Sequence, residues 1–253
     1  MRTKILFTLL LALAIFSISN SQPVWASEQT AEMTQATAAQ ILQDIQGEVV
    51  SVEPSEIPGF YRVAMKIQDK VIPLYLDNSG TFLISGNIID LKQRKNLTEE
   101  HFRQLNPAAL DKIPLDDALT LGAADAPTQI IVFTDPHCPF CSQLHQVLLE
   151  AVKADPKLAF RIKLLALKQG SYEIAKSIIC NRSLEQLEMA FSGATVPVTD
   201  CETDAINNNL ALAQSLGING TPTLILPNGQ IAPGYRPLDE LQKLIEENSV
   251  AGK

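Results

Sequence analysis

Two cysteines separated by two residues, Cys138 and Cys141 in the run Phe133-Thr134-Asp135-Pro136-His137-Cys138-Pro139-Phe140-Cys141, are the positions of this chain best suited to chemistry. The apolar stretch Gln129 to Thr134 predicts a buried strand just before them, and the pattern from Cys138 to Lys153 predicts a helix just after. A dithiol at such a strand-to-helix junction is in the setting that makes Cys-x-x-Cys redox-active. Unpaired backbone N–H groups and the positive end of the helix dipole favour negative charge there, so the first thiol is expected to be acidified and to attack disulfides as a thiolate. Cys138 is the predicted nucleophile. Cys141, one helical turn on and more enclosed, is placed to resolve the mixed disulfide that Cys138 forms. Pro139 suits the first helical position, which needs no N–H partner. His137 is a candidate to stabilise the thiolate when protonated, the alternative being an exposed histidine with no role. Asp135 is expected to serve the turn or a cap.

Other uses of a Cys-x-x-Cys fit less well. A disulfide closing so short a loop cross-links little chain and stabilises little. A structural zinc site wants a second close pair of ligands, whereas the remaining cysteines, Cys180 and Cys201, lie 21 residues apart, so no metal is expected. Haem attachment needs histidine where this chain has Ser142.

A second signal follows about 80 residues later, in Gly217-Ile218-Asn219-Gly220-Thr221-Pro222-Thr223-Leu224-Ile225-Leu226. A Thr-Pro immediately before an apolar strand, downstream of the dithiol helix, matches the position of the cis-proline loop of thioredoxin-like folds. A cis bond at Pro222 would turn the backbone of Thr221 toward the dithiol, where it can hydrogen-bond a substrate strand by β-addition.

The elements that must carry these residues fall into three parts behind a leader. Arg2 and Lys4, the 12-residue apolar run Ile5 to Phe16, and Val24-Trp25-Ala26 have the organisation of a secretory signal cleaved after Ala26. The run is shorter than the roughly 20 apolar residues that span a bilayer, so the mature protein is expected to have no membrane span. Of 253 residues 46% are hydrophobic and 19% charged, which excludes a disordered chain. Loss of the leader takes two cations and no acid, so a net charge of −8 becomes −10 and nucleic-acid binding is not expected. All four cysteines remain, and in an exported protein they favour disulfides, with three pairings open.

Residues 27–97 read as a small domain: a helix within Thr30 to Ile45, then strands at Glu48 to Glu53, Gly59 to Ile67, Val71 to Leu76 and Thr81 to Ser85, the last two joined by a turn at Asp77-Asn78-Ser79-Gly80. So small a sheet buries little core and leaves open edges, which favours self-association. Residues 98–117 read as a bent helical linker with Thr98 as N-cap, broken at Pro107 and Pro114. Residues 118–253 alternate strands and helices, ending in a hairpin about Pro227-Asn228-Gly229 and an amphipathic helix after Pro237. The fold class is therefore α+β leading into α/β: an antiparallel-sheet dimerisation domain, a helical linker, and a thioredoxin-like domain with a helical insertion.

The motifs of residues 128–250, from Phe133-Thr134-Asp135, Cys138, Cys141 and Leu144-His145 to Gly220-Thr221-Pro222 and Asn228-Gly229 leading to Pro233-Gly234-Tyr235, resemble the catalytic domain of the DsbC/DsbG family of periplasmic disulfide isomerases. The order of small domain, linker and catalytic module is similar too. The resemblance implies a periplasmic homodimer joined through its N-terminal domains, misoxidised exported proteins as substrates, no cofactor, and a DsbD-type membrane reductase as the partner that restores the dithiol. It also implies a structural disulfide between Cys180 and Cys201, as in DsbC-type members, closing a loop of about 22 residues and stabilising by roughly 3 kcal/mol. Pro139-Phe140 departs from the Gly-Tyr or Pro-Tyr common in the family, so these two residues and His137 are the candidates for redox tuning. Thioredoxin's buried aspartate, six residues before the first cysteine, is Val132 here. The activity expected is disulfide isomerisation and reduction, with a DsbG-like sulfenic acid reductase, a net dithiol oxidase or a non-enzymatic holdase chaperone as alternatives.

Overall fold

The computed structural model describes residues 32–249, so the expected leader lies outside the described residues. Helix α1 (Gln35–Ile41) starts where the Thr34 hydroxyl accepts the Thr37 N–H at 3.2 Å. It is shorter than the periodicity predicted, because the chain must turn at Gly47 to enter the sheet. A Cβ on Gly47 would sit 2.7 Å from the Lys66 carbonyl oxygen, so only glycine passes that close. Strands β1 (Glu48–Pro54), β2 (Phe60–Ile67), β3 (Lys70–Asp77) and β4 (Leu83–Ile84) form an antiparallel sheet in that order. Ala38 and Leu42 of the helical segment close over Val49, Val63, Met65, Leu74 and Leu76, so the core is one helix on one sheet face.

A two-stranded hairpin, β5 (Ile89–Asp90) and β6 (Lys95–Asn96), precedes helix α2 (Leu97–Leu105). The helix is capped by Asn96, whose side chain accepts the Glu99 N–H at 3.1 Å, and not by Thr98 as the sequence suggested. Thr98 instead accepts from Ile88 N–H and donates to the Gly86 carbonyl, both at 3.0 Å, because the hairpin brings those groups against it. After Leu105 the chain bends. Asn106 accepts from the Val71 N–H at 2.9 Å and donates to the Val71 carbonyl at 2.7 Å, completing a stretch of β3 that β4 does not reach. Pro107 disfavours helix in the residue before it, and only a single 3-10 turn, Leu110–Lys112, follows.

The remaining elements are β7 (Leu119–Gly122), β8 (Thr128–Thr134), α3 (Pro139–Ala154), β9 (Leu158–Leu164), α4 (Ser171–Asn181), α5 (Leu184–Phe191), α6 (Ala205–Ser215), β10 (Thr223–Ile225), β11 (Ile231–Pro233) and α7 (Leu238–Asn248). They build a mixed sheet in the order β11-β10-β8-β9-β7. Strands β8 and β9 are parallel and joined through α3, while β7 and β10 run antiparallel to their neighbours. Strand β8 is covered on both faces: Ile130 and Val132 pack in one cluster with Leu144, Leu148 and Phe160, Ile131 and Phe133 in another with Leu165, Ala213 and Ile225. That two-sided burial is why its sequence is continuously apolar.

Two buried connections fasten the linker to this domain. Lys163 on β9, fully buried, donates to the Pro114 carbonyl at 2.7 Å and pairs with Asp117, which also accepts from Asn209 on α6 at 2.6 Å. Ala108 N–H donates to the Gly229 carbonyl at 2.7 Å, and a Cβ on Gly229 would clash with the Ala108 carbonyl oxygen. Among the described residues no helix is long and apolar enough to cross a membrane.

Candidate active site

Strand β8 delivers the chain to the site, and α3 begins there because nothing in its first turn opposes a helix. Cys138 is the residue before the first helical position, which Pro139 occupies. The Cys138 carbonyl accepts the N–H groups of Cys141 and Ser142 at 3.0 and 3.1 Å, closing the first turn. Both thiols are free. The Cys138 Sγ–H points at the Thr221 carbonyl oxygen, 3.4 Å away, and the Thr221–Pro222 bond is cis. The structure thus brings Cys138, Cys141, Thr221 and Pro222 into one place although about 80 residues separate the two motifs.

The two sulfurs differ in environment. Cys138 is 5% exposed and borders an open hollow of about 390 Å³ lined by Pro136, Pro139, Ser142, Phe191 and Gly193. Cys141 is 1% exposed, and burial pushes its thiol up to about 12, with hydrogen bonds from the Thr134 and Thr221 side chains pulling the other way. Phe140 is exposed and Pro139 faces solvent beside it. The His137 ring, also exposed, is held by the start of α4 and the segment before it: Nδ1 lies 3.2 Å from the Gln169 carbonyl and 3.3 Å from the Ser171 hydroxyl. Cys180 and Cys201 are remote from this cluster in sequence and joined by a disulfide, with Cα atoms 6.2 Å apart, between the last turn of α4 and the segment leading to α6.

Asp135 does more than the turn role read from the sequence. Fully buried, it accepts the His137 N–H at 2.8 Å, which is the turn. It also accepts the Leu167 and Lys168 N–H groups at 2.7 and 2.9 Å and the Ser171 hydroxyl at 2.7 Å. One carboxylate therefore ties the active-site turn to the loop between β9 and α4. An acidic residue between an apolar strand and a proline was the available signal; its distant partners were not legible.

The family model for a thioredoxin-like domain matches residues 115–249, and the model for the disulfide bond isomerase protein N-terminal domain matches residues 26–99. The thiol:disulfide interchange protein DsbC of Salmonella typhimurium is 30% identical over 184 residues, covering 69% of this chain and 73% of that protein. The probable thiol:disulfide interchange protein DsbC of Bordetella parapertussis is 28% identical over 171 residues, 67% of this chain; the match spans only 60% of that relative's length. A crystal structure of a disulfide interchange protein from Neisseria gonorrhoeae is similar at a TM-score of 0.46 and 25% identity, covering 54% of this chain and 98% of that one.

Proposed function

This chain belongs to the DsbC family of thiol:disulfide interchange proteins, and on that footing we propose that it is a disulfide isomerase and reductase acting on misoxidised exported proteins in the periplasm. Cys138 attacks a substrate disulfide and forms a mixed disulfide. A substrate thiol resolves it to complete isomerisation, or Cys141 resolves it to complete reduction, leaving a Cys138–Cys141 disulfide for a DsbD-type membrane reductase to restore. The Thr221 backbone, next to the nucleophile, binds the substrate as an added strand. Cys180–Cys201 serves stability, Pro139, Phe140 and His137 tune the redox poise, and the N-terminal domain joins two copies.

The observation that carries this reading is the placement of the Cys138 sulfur, at the start of a helix and 3.4 Å from the Thr221 carbonyl, beside an open hollow and with a buried partner thiol one turn behind. The test is reactivation of a scrambled-disulfide substrate by the mature protein in a glutathione buffer. Wild type should reactivate it and Cys138→Ala should not, while Cys141→Ala should keep part of the activity because substrate thiols can resolve the intermediate. If wild type fails here yet rapidly oxidises a reduced substrate, or reduces sulfenic acids, the isomerase assignment falls.

A further inference from the structure

Resolution by Cys141 requires its proton to leave a site nearly closed to water. Burial pushes this thiol up to about 12, so it is protonated at neutral pH and a proton acceptor close to it matters. Behind Cys141 lies a cavity of about 10 Å³, at the lower limit for a single water. Its lining is aliphatic, Val132 and Ile162 included, except for three side chains: Thr134, Cys141 and His145.

His145 follows Cys141 by four residues and so shares its face of α3. It is buried, its ring 5.3 Å from that of Phe191, and its Nε2 lies 3.4 Å from Oε1 of Glu188 on α5. The Glu188 side chain is 47% exposed, so the line from cavity to histidine to carboxylate ends in solvent. Burial lowers the histidine's affinity for a proton against the opposing pull of Glu188, which leaves the ring neutral at pH 7. With Nε2–H donated to Glu188, Nδ1 is the ring nitrogen that carries the lone pair, as a proton acceptor requires. Glu188 is the one charged group facing the ring from α5; the strands behind it, β8 and β9, contribute Thr134 and aliphatic side chains to the cavity they share.

We propose that His145 is the proton acceptor for Cys141, taking the thiol proton across the cavity, by way of the Thr134 hydroxyl or one water, and passing it to solvent along Glu188. The step rests on Cys141 being the resolving thiol. As the proton leaves Cys141, the sulfur's electron pair forms a bond to Cys138 Sγ, and the bond between Cys138 and the substrate sulfur breaks. The substrate sulfur departs as a thiolate and is protonated by water. The two thiols of the protein have lost two electrons to the substrate disulfide, and the proton held at His145 returns to water.

The experiment follows the reaction of the reduced mature protein with glutathione disulfide, quenched in acid at successive times and weighed by mass spectrometry. Attack by Cys138 appears as addition of one glutathione, and resolution by Cys141 as its loss. His145→Gln, which keeps the side-chain volume and a donor to Glu188, should slow the second step roughly 100-fold at pH 7 and leave the first unchanged. The mixed disulfide should accumulate, and the deficit should close as pH rises and hydroxide replaces the lost base. Glu188→Gln, altered at the half-exposed end, should slow the second step a few-fold and decides the matter if His145→Gln does not fold. Resolution at the wild-type rate with the wild-type pH profile overturns the proposal, as does equal slowing of both steps. Cys141→Ala should halt at the mixed disulfide; if it releases glutathione unaided, the resolving role of Cys141 has failed and the relay falls with it.

Discussion

Cys138 and Cys141 stand at the first turn of a helix, three residues apart, with both sulfurs free. Cys180 stands at the last turn of another helix, and Cys201 lies 21 residues on, bonded to it. Cys138 lies at the positive end of a helix dipole and Cys180 at the negative end, which on the proposed mechanism separates an attacking thiol from an inert one. Loop length separates them again. A bond between neighbours on one turn removes little freedom from the unfolded chain, whereas a bond across about 22 residues removes enough to matter. The contrast teaches that helix polarity and ring size, more than burial, distinguish the pairs, since Cys138 itself is nearly covered.

The widest gap between the pairs should appear in exchange kinetics. Cys138→Ala is expected to lose thiol-disulfide exchange by roughly a thousandfold or more, while the double change Cys180→Ala, Cys201→Ala stays within a few-fold of wild type when folded, as a scrambled-substrate assay would report. Equal losses in the two proteins would erase the distinction. In stability the ranking should reverse. The Cys180, Cys201 double variant should lose about 3 kcal/mol in denaturant unfolding under oxidising conditions, and Cys138→Ala should lose far less.

Asp135 sharpens the contrast, because it braces the turn that carries Cys138 and, among the described residues, makes no hydrogen bond near Cys180 or Cys201. Asp135→Asn places an amide donor among four hydrogen-bond donors and should cost about 2 kcal/mol, with slower alkylation of Cys138 as its turn loosens. Alkylation at the wild-type rate would confine Asp135 to stability.

The smallest effect lies outside both pairs. His101 on α2 sits against Arg62, with Nε2 2.7 Å from the guanidinium, and burial and that cation lower its proton affinity below the usual 6.5. The unfolded chain therefore binds more protons below pH 6.5, and folding stability should rise as pH climbs toward 6.5 and level off above it. His145 contributes with the same sign. His101→Gln should flatten part of this slope in thermal unfolding without changing the exchange rate of the dithiol; an altered exchange rate would mean that the small domain reports to the active site.

Much of this is legible in the sequence. Strand β8 announced itself because burial on both faces demands an unbroken apolar run, and the dithiol and the Thr-Pro could be paired because each needs the other's position to make sense. What escaped was either too short or too distant. Strand β7 has four residues, and the hairpin before α2 has two per strand, too few for a period, so the Asn96 cap was missed with it. The buried pair of Lys163 and Asp117 joins residues 46 apart, too distant for the sequence pattern to connect them. Asp135 reads as a turn residue because Leu167, Lys168 and Ser171 arrive from the far side of β9.

The central claim, that one pair reacts and the other only holds, is tested most directly by trapping. Cys141→Ala protein incubated with a misoxidised substrate, quenched in acid and digested without reduction, should carry the substrate on Cys138 alone, with the Cys180–Cys201 bond intact. Substrate found on Cys180 or Cys201, or none on Cys138, would contradict it.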